Sequence, residues 1–154
     1  MDAETLARLQ KLDTNRIVSE AIALMESEGL AAVSLRSIAR RLDARAPSLY
    51  RHIKDKEELC QLMSWRIFRG CLARIPQAEN WRDWLISFGE VLWDEQHRTP
   101  GALELIAANR QRRAQKPRPP EEVIDMLAAL GLGRAEAAEL QSGVQALVTG
   151  WSMM

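Results

Sequence analysis

The chain has 154 residues, of which 47% are apolar and 27% charged, and its formal net charge is zero. This composition is typical of a folded protein and excludes a disordered or low-complexity chain. The two cysteines, Cys60 and Cys71, do not form a CxxC pair, which fits a reducing compartment better than a disulfide scaffold.

Several kinds of site and segment are also disfavoured. His52 and His97 do not combine with the cysteines at zinc-ligand spacing, so we expect no metal and no cofactor. No uncharged apolar run approaches the roughly 18 residues of a membrane span, and the acidic N-terminus does not resemble a signal peptide. The sequence therefore predicts a cytoplasmic protein without a membrane segment.

The first predicted helix begins at Asp13 or Thr14, which would cap it, and runs to about Glu28. Apolar residues at helical spacing give it one buried face. Gly29 suits the left-handed position at its C-terminal end. Residues 1–12 are interpreted as an arm, which either extends this helix or stays solvated.

Residues 34–56 contain two short helical patterns joined by a tight turn. Ser34 is expected to cap the first pattern. Asp43 and Ala44 form the predicted turn, because Asp tolerates the left-handed conformation better than most residues. Pro47 opens the second pattern, where a helix needs no backbone N–H. This arrangement indicates a helix-turn-helix.

The charge of the chain is concentrated in the same stretch. Residues 34–56 hold seven basic and two acidic residues, a net charge of +5 on a neutral chain. Base edges in the major groove are read from the N-terminal end of a helix, which is where Arg45, Ala46 and Ser48 lie. The remaining candidates are spaced to reach the flanking phosphates: Tyr50, His52 and Lys56. The alternative interpretation is a three-helix core with a solvated basic face.

Five further helices are predicted beyond residue 54. The first opens with Asp55 and Glu58 and runs to about Ala73. Residues 75–80 form a connector, and the other four helices start near Asn80, Ala102, Pro120 and Arg134. The last helix carries apolar residues at helical spacing: Leu140, Val144, Leu147, Val148 and Trp151. No alternating β-branched run is visible, so the predicted fold is all-α.

Two segments carry a resemblance to a known family. RIVSEAIALMESEGLAAVSLRSIARRL and APSLYRHIKDKEEL, within residues 14–63, resemble the DNA-binding domain of the TetR family of bacterial transcriptional regulators. The family clamps phosphates with the tyrosine and the lysine, and it usually has Gly where this chain has Asp43. The resemblance implies DNA-facing positions at Ser34, Arg36, Arg45, Ala46, Ser48, Tyr50, His52 and Lys56.

The second half resembles the tetracycline-repressor type of regulatory domain through Asn80-Trp81, the His97 to Pro100 segment, and the last helix. We therefore predict two domains: a three-helix helix-turn-helix domain over 1–63, and an effector-binding and dimerisation domain over 64–154. The resemblance implies a homodimer joined through the last helices and an effector cavity among the middle helices. Tryptophan and methionine can line such a cavity, although they more often form plain core. The predicted ligand-binding residues are Met63, Trp84, Phe88, Trp93 and His97.

The leading functional hypothesis is a repressor that a small apolar effector releases from double-stranded operator DNA. No Gly-rich phosphate loop and no GxSxG motif is present, so no catalytic residue is predicted. The rival is a helical enzyme or small-molecule carrier with an incidental basic face, and a third hypothesis is an interaction module that uses residues 134–154. The apolar end at Trp151 suggests a missing partner helix, from a longer chain or from another subunit.

Overall fold

The computed structural model describes residues 12–112 and 119–154, with the backbone alone for 110–112. Every regular element in these residues is helical, which confirms the all-α prediction. Most of the predicted N-terminal arm lies outside the described residues. The helices are α1 (Thr14–Glu28), α2 (Leu35–Arg41), α3 (Ala46–Leu49), α4 (Lys56–Arg74), α5 (Trp81–Arg98), α6 (Ala102–Arg112), α7 (Glu121–Ala129) and α8 (Arg134–Ser152), with a short 3-10 turn at Leu30–Ala32.

Contacts within the chain define two compact units, Met1–Met63 and Ser64–Met154. The first unit packs α1, α2 and α3 around a shared apolar centre, because each helix carries apolar residues at helical spacing. Its fully buried side chains include Ile17, Leu24, Ile38, Leu49 and Ile53. The prediction that Leu49 and Ile53 face the core is confirmed.

The ends of α1 follow local chemistry. The Asp13 side chain accepts a hydrogen bond from the Arg16 N–H at 2.8 Å, so the predicted cap is confirmed. Gly29 has φ 86° and ψ 163°, so it is extended and not in the predicted left-handed helical conformation. This region is open almost only to glycine, so the requirement for glycine at this position is stronger than expected.

The core of the second unit lies between α4, α5, α7 and α8. Phe88 and Leu127 are its fully buried centre, surrounded by Cys71, Trp84, Leu85, Leu92, Val123, Ile124, Leu132 and Ala137. Asn80 caps α5 by accepting from the Asp83 N–H at 3.0 Å, as the sequence predicts. Among the described residues after Asn80 there are four helices, as the sequence predicts.

The apolar residues of α8 lie on two different sides of the helix. Leu140 is 40% exposed, Leu147 74% and Trp151 66%, whereas Gln141 and Thr149 are buried. The side of α8 that packs on α5 carries Val144 and Val148, which lie beside Gly89. It also carries Thr149, whose hydroxyl accepts from the Gln96 amide at 2.9 Å. The larger apolar side chains are left on an uncovered side of the helix.

Candidate DNA interface and ligand cavity

The turn between α2 and α3 is a Schellman motif with Asp43 in the position that glycine usually occupies. The Ala44 N–H donates to the Ala39 carbonyl at 2.9 Å and the Asp43 N–H donates to the Arg40 carbonyl at 3.3 Å. Asp43 has φ 50°, the left-handed conformation that the sequence predicts for it. The turn geometry is therefore kept although the residue departs from the family pattern.

Helix α3 is short and is fixed at both ends. Arg45 is its N-cap residue in extended conformation, and Pro47 lies in its first turn. After Leu49 the chain makes one further turn, in which the His52 and Ile53 N–H groups both donate to the Leu49 carbonyl. Burial of Leu49 and Ile53 turns the opposite side of this segment to solvent.

The predicted DNA-facing residues are all reachable on this surface. Five are exposed: Arg36, Arg45, Tyr50, His52 and Lys56. Ala46, Ser48 and Ser34 are half-buried. Tyr50 is 54% exposed although it is a large aromatic residue. An exposed tyrosine next to basic side chains is the arrangement that a phosphate contact requires.

Ser34 has a structural role that limits its hydroxyl. The Ser34 hydroxyl accepts from the Ser37 N–H at 3.0 Å, and the Ser37 hydroxyl accepts from the Ser34 N–H at 3.0 Å. The Ser37 hydroxyl also lies 2.8 Å from the Ala32 carbonyl oxygen. This capping box fixes the start of α2, as the sequence predicts for Ser34.

The basic charge is divided between structural and unpaired residues. The Arg41 guanidinium binds the Glu20 carboxylate and lies 3.4 Å from that of Glu28, so Arg41 joins α2 to α1. Within residues 12–112 and 119–154, no other basic side chain of this stretch lies in an ion pair. The unpaired cations are Arg36, Arg40, Arg45, Arg51, Lys54 and Lys56. They keep their charge available for phosphates.

The start of α4 is a shifted capping box. The Glu58 N–H donates to the Asp55 carboxylate at 2.9 Å, as the sequence predicts. The Glu58 carboxylate, however, accepts from the Lys54 N–H at 2.6 Å. These bonds fix the backbone on which Lys56 is held.

A cavity of about 350 Å³ lies in the second unit. It is lined by Arg69, Leu72 and Ala73 of α4, Trp84 of α5, and Glu122, Val123 and Met126 of α7. Of the five predicted ligand-binding residues, Trp84 alone is part of this lining. The other lining residues were not predicted, although their spacing of three and four places them on single helix faces.

The remaining predicted ligand residues lie elsewhere. Phe88 is fully buried and stacks on Trp84, with ring centroids 5.3 Å apart and 8° between the planes. Met63 is fully buried in the first unit. Trp93 is 39% exposed and its ring contacts that of the exposed His97 at a tilt of 35°, because residues four apart share a helix face. The His97 Nδ1 atom lies 2.7 Å from the Trp93 carbonyl oxygen.

Ion pairs hold the ends of α4 and α5 together in the second unit. Arg74 binds the carboxylates of Asp94 and Glu95, the latter at 2.6 Å. The hydrogen bond from Arg74 lowers the pKa of Asp94. Burial, followed by the negative charge of Glu95, raises the pKa of the nearby Cys71 thiol to about 12. Cys71 is therefore a protonated core residue at neutral pH.

In residues 12–112 and 119–154 no group of three or more His, Cys, Asp or Glu side chains is placed to hold a metal ion. Over the same ranges, no helix has the length and apolar character that a membrane crossing requires.

The fold and the exposed basic surface define a helix-turn-helix protein with a separate helical unit. Residues 17–63 match the family model described as bacterial regulatory proteins, tetR family. An HTH-type transcriptional regulator of Saccharopolyspora erythraea is 31% identical over 143 residues, which are 90% of this chain and 59% of that protein. The chain thus spans less than two thirds of that relative.

Two solved structures share the fold over nearly the whole chain. A TetR variant from Acinetobacter baumannii AYE, solved in complex with minocycline, has a TM-score of 0.73 at 23% identity. The match covers 93% of this chain and 80% of the variant's chain. BioQ, solved with its natural double-stranded DNA operator, has a TM-score of 0.69 at 23% identity, and the match covers 92% of this chain and 85% of the BioQ chain. Residues 17–63 thus match the tetR family of bacterial regulatory proteins, and the likeness of the whole chain to these solved structures is one of fold.

Proposed function

We propose that this protein is a DNA-binding transcriptional repressor that a small apolar effector releases from its operator. The observation that carries the proposal is the exposed surface of the helix-turn-helix. There, Tyr50 is 54% exposed and Arg36, Arg45 and Lys56 are exposed without an ion pair in the described residues. Such a concentration of unpaired positive charge attracts a polyanion, because each phosphate contact releases counterions condensed on DNA.

The eight predicted contacts divide into two roles in this proposal. Arg45, Ala46 and Ser48 stand at the start of α3, from which a helix reads base edges in the major groove. Tyr50, His52 and Lys56, together with Arg36 and Ser34, position the unit on the phosphate backbone. Ser34 acts mainly through the capping box that orients α2, because its hydroxyl is already hydrogen-bonded.

Two copies of the chain would present two such surfaces to successive major grooves of a near-palindromic site in the cytoplasm. We propose that the copies join through α8, whose Leu147 and Trp151 are 74% and 66% exposed. Apolar side chains of this size on one helix side mark an interaction surface. The minocycline complex of the TetR variant and the operator complex of BioQ support these classes of partner for this chain.

The proposal makes the two roles separable by mutation. Lys56→Ala and Tyr50→Phe should weaken binding to all DNA sequences about equally, and Lys56→Ala should lower the salt slope by about 0.9 per lost phosphate contact. Arg45→Ala should instead change which bases are preferred, with a discrimination loss of about 1–3 kcal/mol at one position. Binding is measured by fluorescence anisotropy on a randomised set of operator variants.

Arg82→Gln is the matched control, because Arg82 is an exposed arginine of the second unit. It should leave affinity, salt slope and base preference unchanged. An Arg45→Ala variant that loses the same affinity on every sequence would remove Arg45 from base readout. Lys56→Ala and Tyr50→Phe variants that both bind like the natural chain would contradict the proposed DNA surface.

A further inference from the structure

The residues that open α3 differ sharply in length, so one side chain extends well beyond the others. Arg45 is followed by Ala46, Pro47 and Ser48, whose side chains are all short. Short side chains let the start of a helix come close to the base edges in the major groove. Arg45 is then the side chain of this group that extends a charged fork of N–H donors towards a base.

The backbone that carries Arg45 is held in place within the single chain. Arg45 is the N-cap residue of α3 with φ −84° and ψ 134°, and its carbonyl accepts from the Ser48 N–H at 2.8 Å. The Pro47 ring fixes a further backbone angle in the same turn. Leu49 is fully buried and anchors the end of α3 in the core. A side chain on such a backbone has less freedom to lose on binding than one on a mobile loop.

The guanidinium of Arg45 is available for a base. The side chain is exposed, and it lies in no ion pair in the part of the chain that the structure describes. Two parallel N–H donors of a guanidinium match the O6 and N7 acceptors that guanine presents in the major groove. Adenine presents one acceptor and one donor there, and thymine presents one acceptor and a methyl group. The chemistry of Arg45 therefore favours guanine.

The rest of the helix-turn-helix lacks the side chains that usually read adenine. Asparagine and glutamine, which bind adenine through two hydrogen bonds, are both absent from residues 34–56. Ala46 and Pro47 instead form a small apolar surface next to Arg45, and Pro47 is exposed. A small apolar surface of this kind suits the C5-methyl group of thymine.

We propose that Arg45 reads a guanine in each operator half-site, and that Ala46 and Pro47 contact the methyl group of a neighbouring thymine. This inference rests on the proposed function, because it names the bases that the DNA-binding surface prefers. Arg36 is the rival reader of guanine, since it is also exposed and outside the ion pairs of the described residues. It lies in α2, however, and the first helix of a helix-turn-helix crosses the phosphate backbone.

Base analogues test both contacts without any change to the protein. The preferred site is first selected from randomised DNA with the full chain. Each guanine of that site is then replaced by 7-deazaguanine, which lacks N7, and each thymine by uracil, which lacks the methyl group. The natural chain should lose affinity about tenfold at one guanine of a half-site and about threefold at a neighbouring thymine. Fluorescence anisotropy measures the dissociation constants.

Arginine variants assign the guanine contact to one residue. Arg45→Ala should abolish the loss of affinity that 7-deazaguanine causes. Arg45→Lys should reduce that loss and keep the salt dependence, because lysine keeps the charge but lacks the planar fork. Arg36→Ala should weaken binding to all sequences and keep the full effect of 7-deazaguanine. Arg51→Ala is the matched control, because Arg51 is an exposed cation beyond α3, and it should also keep the full effect.

The outcomes distinguish this inference from the proposed function. An effect of 7-deazaguanine that survives Arg45→Ala, or that disappears in Arg36→Ala, would overturn the assignment to Arg45. A selected site whose guanines and thymines all tolerate replacement would overturn the inference and leave the proposed function intact. If randomised DNA yields no preferred site, the proposed function is wrong, and the inference falls with it.

Discussion

The left-handed residue in the turn of the helix-turn-helix gives a quantitative test of how the sequence specifies this fold. Asp43 has φ 50°, a conformation that costs an ordinary L-residue about 1–2 kcal/mol and costs Asp less. Glycine has no such steric cost but loses about 0.4–1 kcal/mol more backbone entropy on folding. We therefore expect Asp43→Gly to raise the free energy of unfolding by about 0.5 kcal/mol or less.

A β-branched residue has no means of relieving the same strain. Asp43→Val should lower the free energy of unfolding by about 2 kcal/mol, because its branched Cβ fits the left-handed region poorly and cannot hydrogen-bond locally. Urea unfolding followed by far-ultraviolet circular dichroism measures both variants. A shifted midpoint at constant slope identifies a change of stability.

The chain contains its own control for this argument. The turn after α7 is a second Schellman motif: the Leu132 N–H donates to the Leu127 carbonyl at 3.1 Å, and Gly131 has φ 92°. A Cβ built on Gly131 meets nothing within 4 Å, so Gly131→Asp adds backbone strain without a clash and should cost about 0.5 kcal/mol or less, the reverse of Asp43→Gly. If Asp43→Val matches the natural chain within about 0.3 kcal/mol, the strain argument is refuted.

Three further predictions follow from the second unit. Arg74 lowers the pKa of Asp94, so the ion pair stabilises the fold at pH values above the unfolded pKa of the carboxyl. This stabilisation is lost as the pH falls through the folded pKa. Arg74→Gln should therefore flatten the fall of the urea midpoint between about pH 5 and pH 2. The pKa of Cys71 is about 12 and Cys60 is also buried, so the native chain should react slowly with iodoacetamide at pH 8. The urea-unfolded chain should react quickly. Equal rates would contradict the burial of the two cysteines. Leu147→Glu should dissociate the proposed dimer, which a sedimentation experiment measures. It should keep the helical circular dichroism, because Leu147 is 74% exposed in the single chain. An unchanged sedimentation coefficient would exclude α8 from the dimer contact.

Local chemistry explains why much of the fold was predictable from the sequence. Asp13, Ser34 and Asn80 cap their helices through bonds to residues only three positions away. The left-handed turn at Asp43 is likewise a property of a few neighbouring residues. Such signals need no knowledge of how distant helices pack.

The parts that were not predictable depend on distant contacts. The ion pair between Glu20 and Arg41 joins residues 21 positions apart, so the stretch of basic residues alone does not reveal that Arg41 is paired. The cavity needs one face of α4 and one face of α7 to meet beside Trp84. Helical spacing reveals each face, but it does not identify the face that opposes it.

The orientation of α8 could not be predicted from the sequence for a related physical reason. Apolar residues recur at helical spacing both in a core and at a contact between subunits, so periodicity does not distinguish these environments. Two contacts with α5 determine which side of α8 faces the core. Gln96 hydrogen-bonds Thr149, and Gly89 leaves room for Val144, which would lie 3.4 Å from a Cβ added to that glycine. These partners are on another helix.

The central claim is that residues 34–56 recognise a DNA sequence. The most direct measurement is the ratio of dissociation constants of the full chain for the DNA upstream of its own gene and for random DNA of equal length, at moderate salt. The account predicts a preference of about a thousandfold or more for the upstream DNA, together with affinity that falls steeply as salt rises. Equal affinity for the two DNAs across the salt range would contradict it.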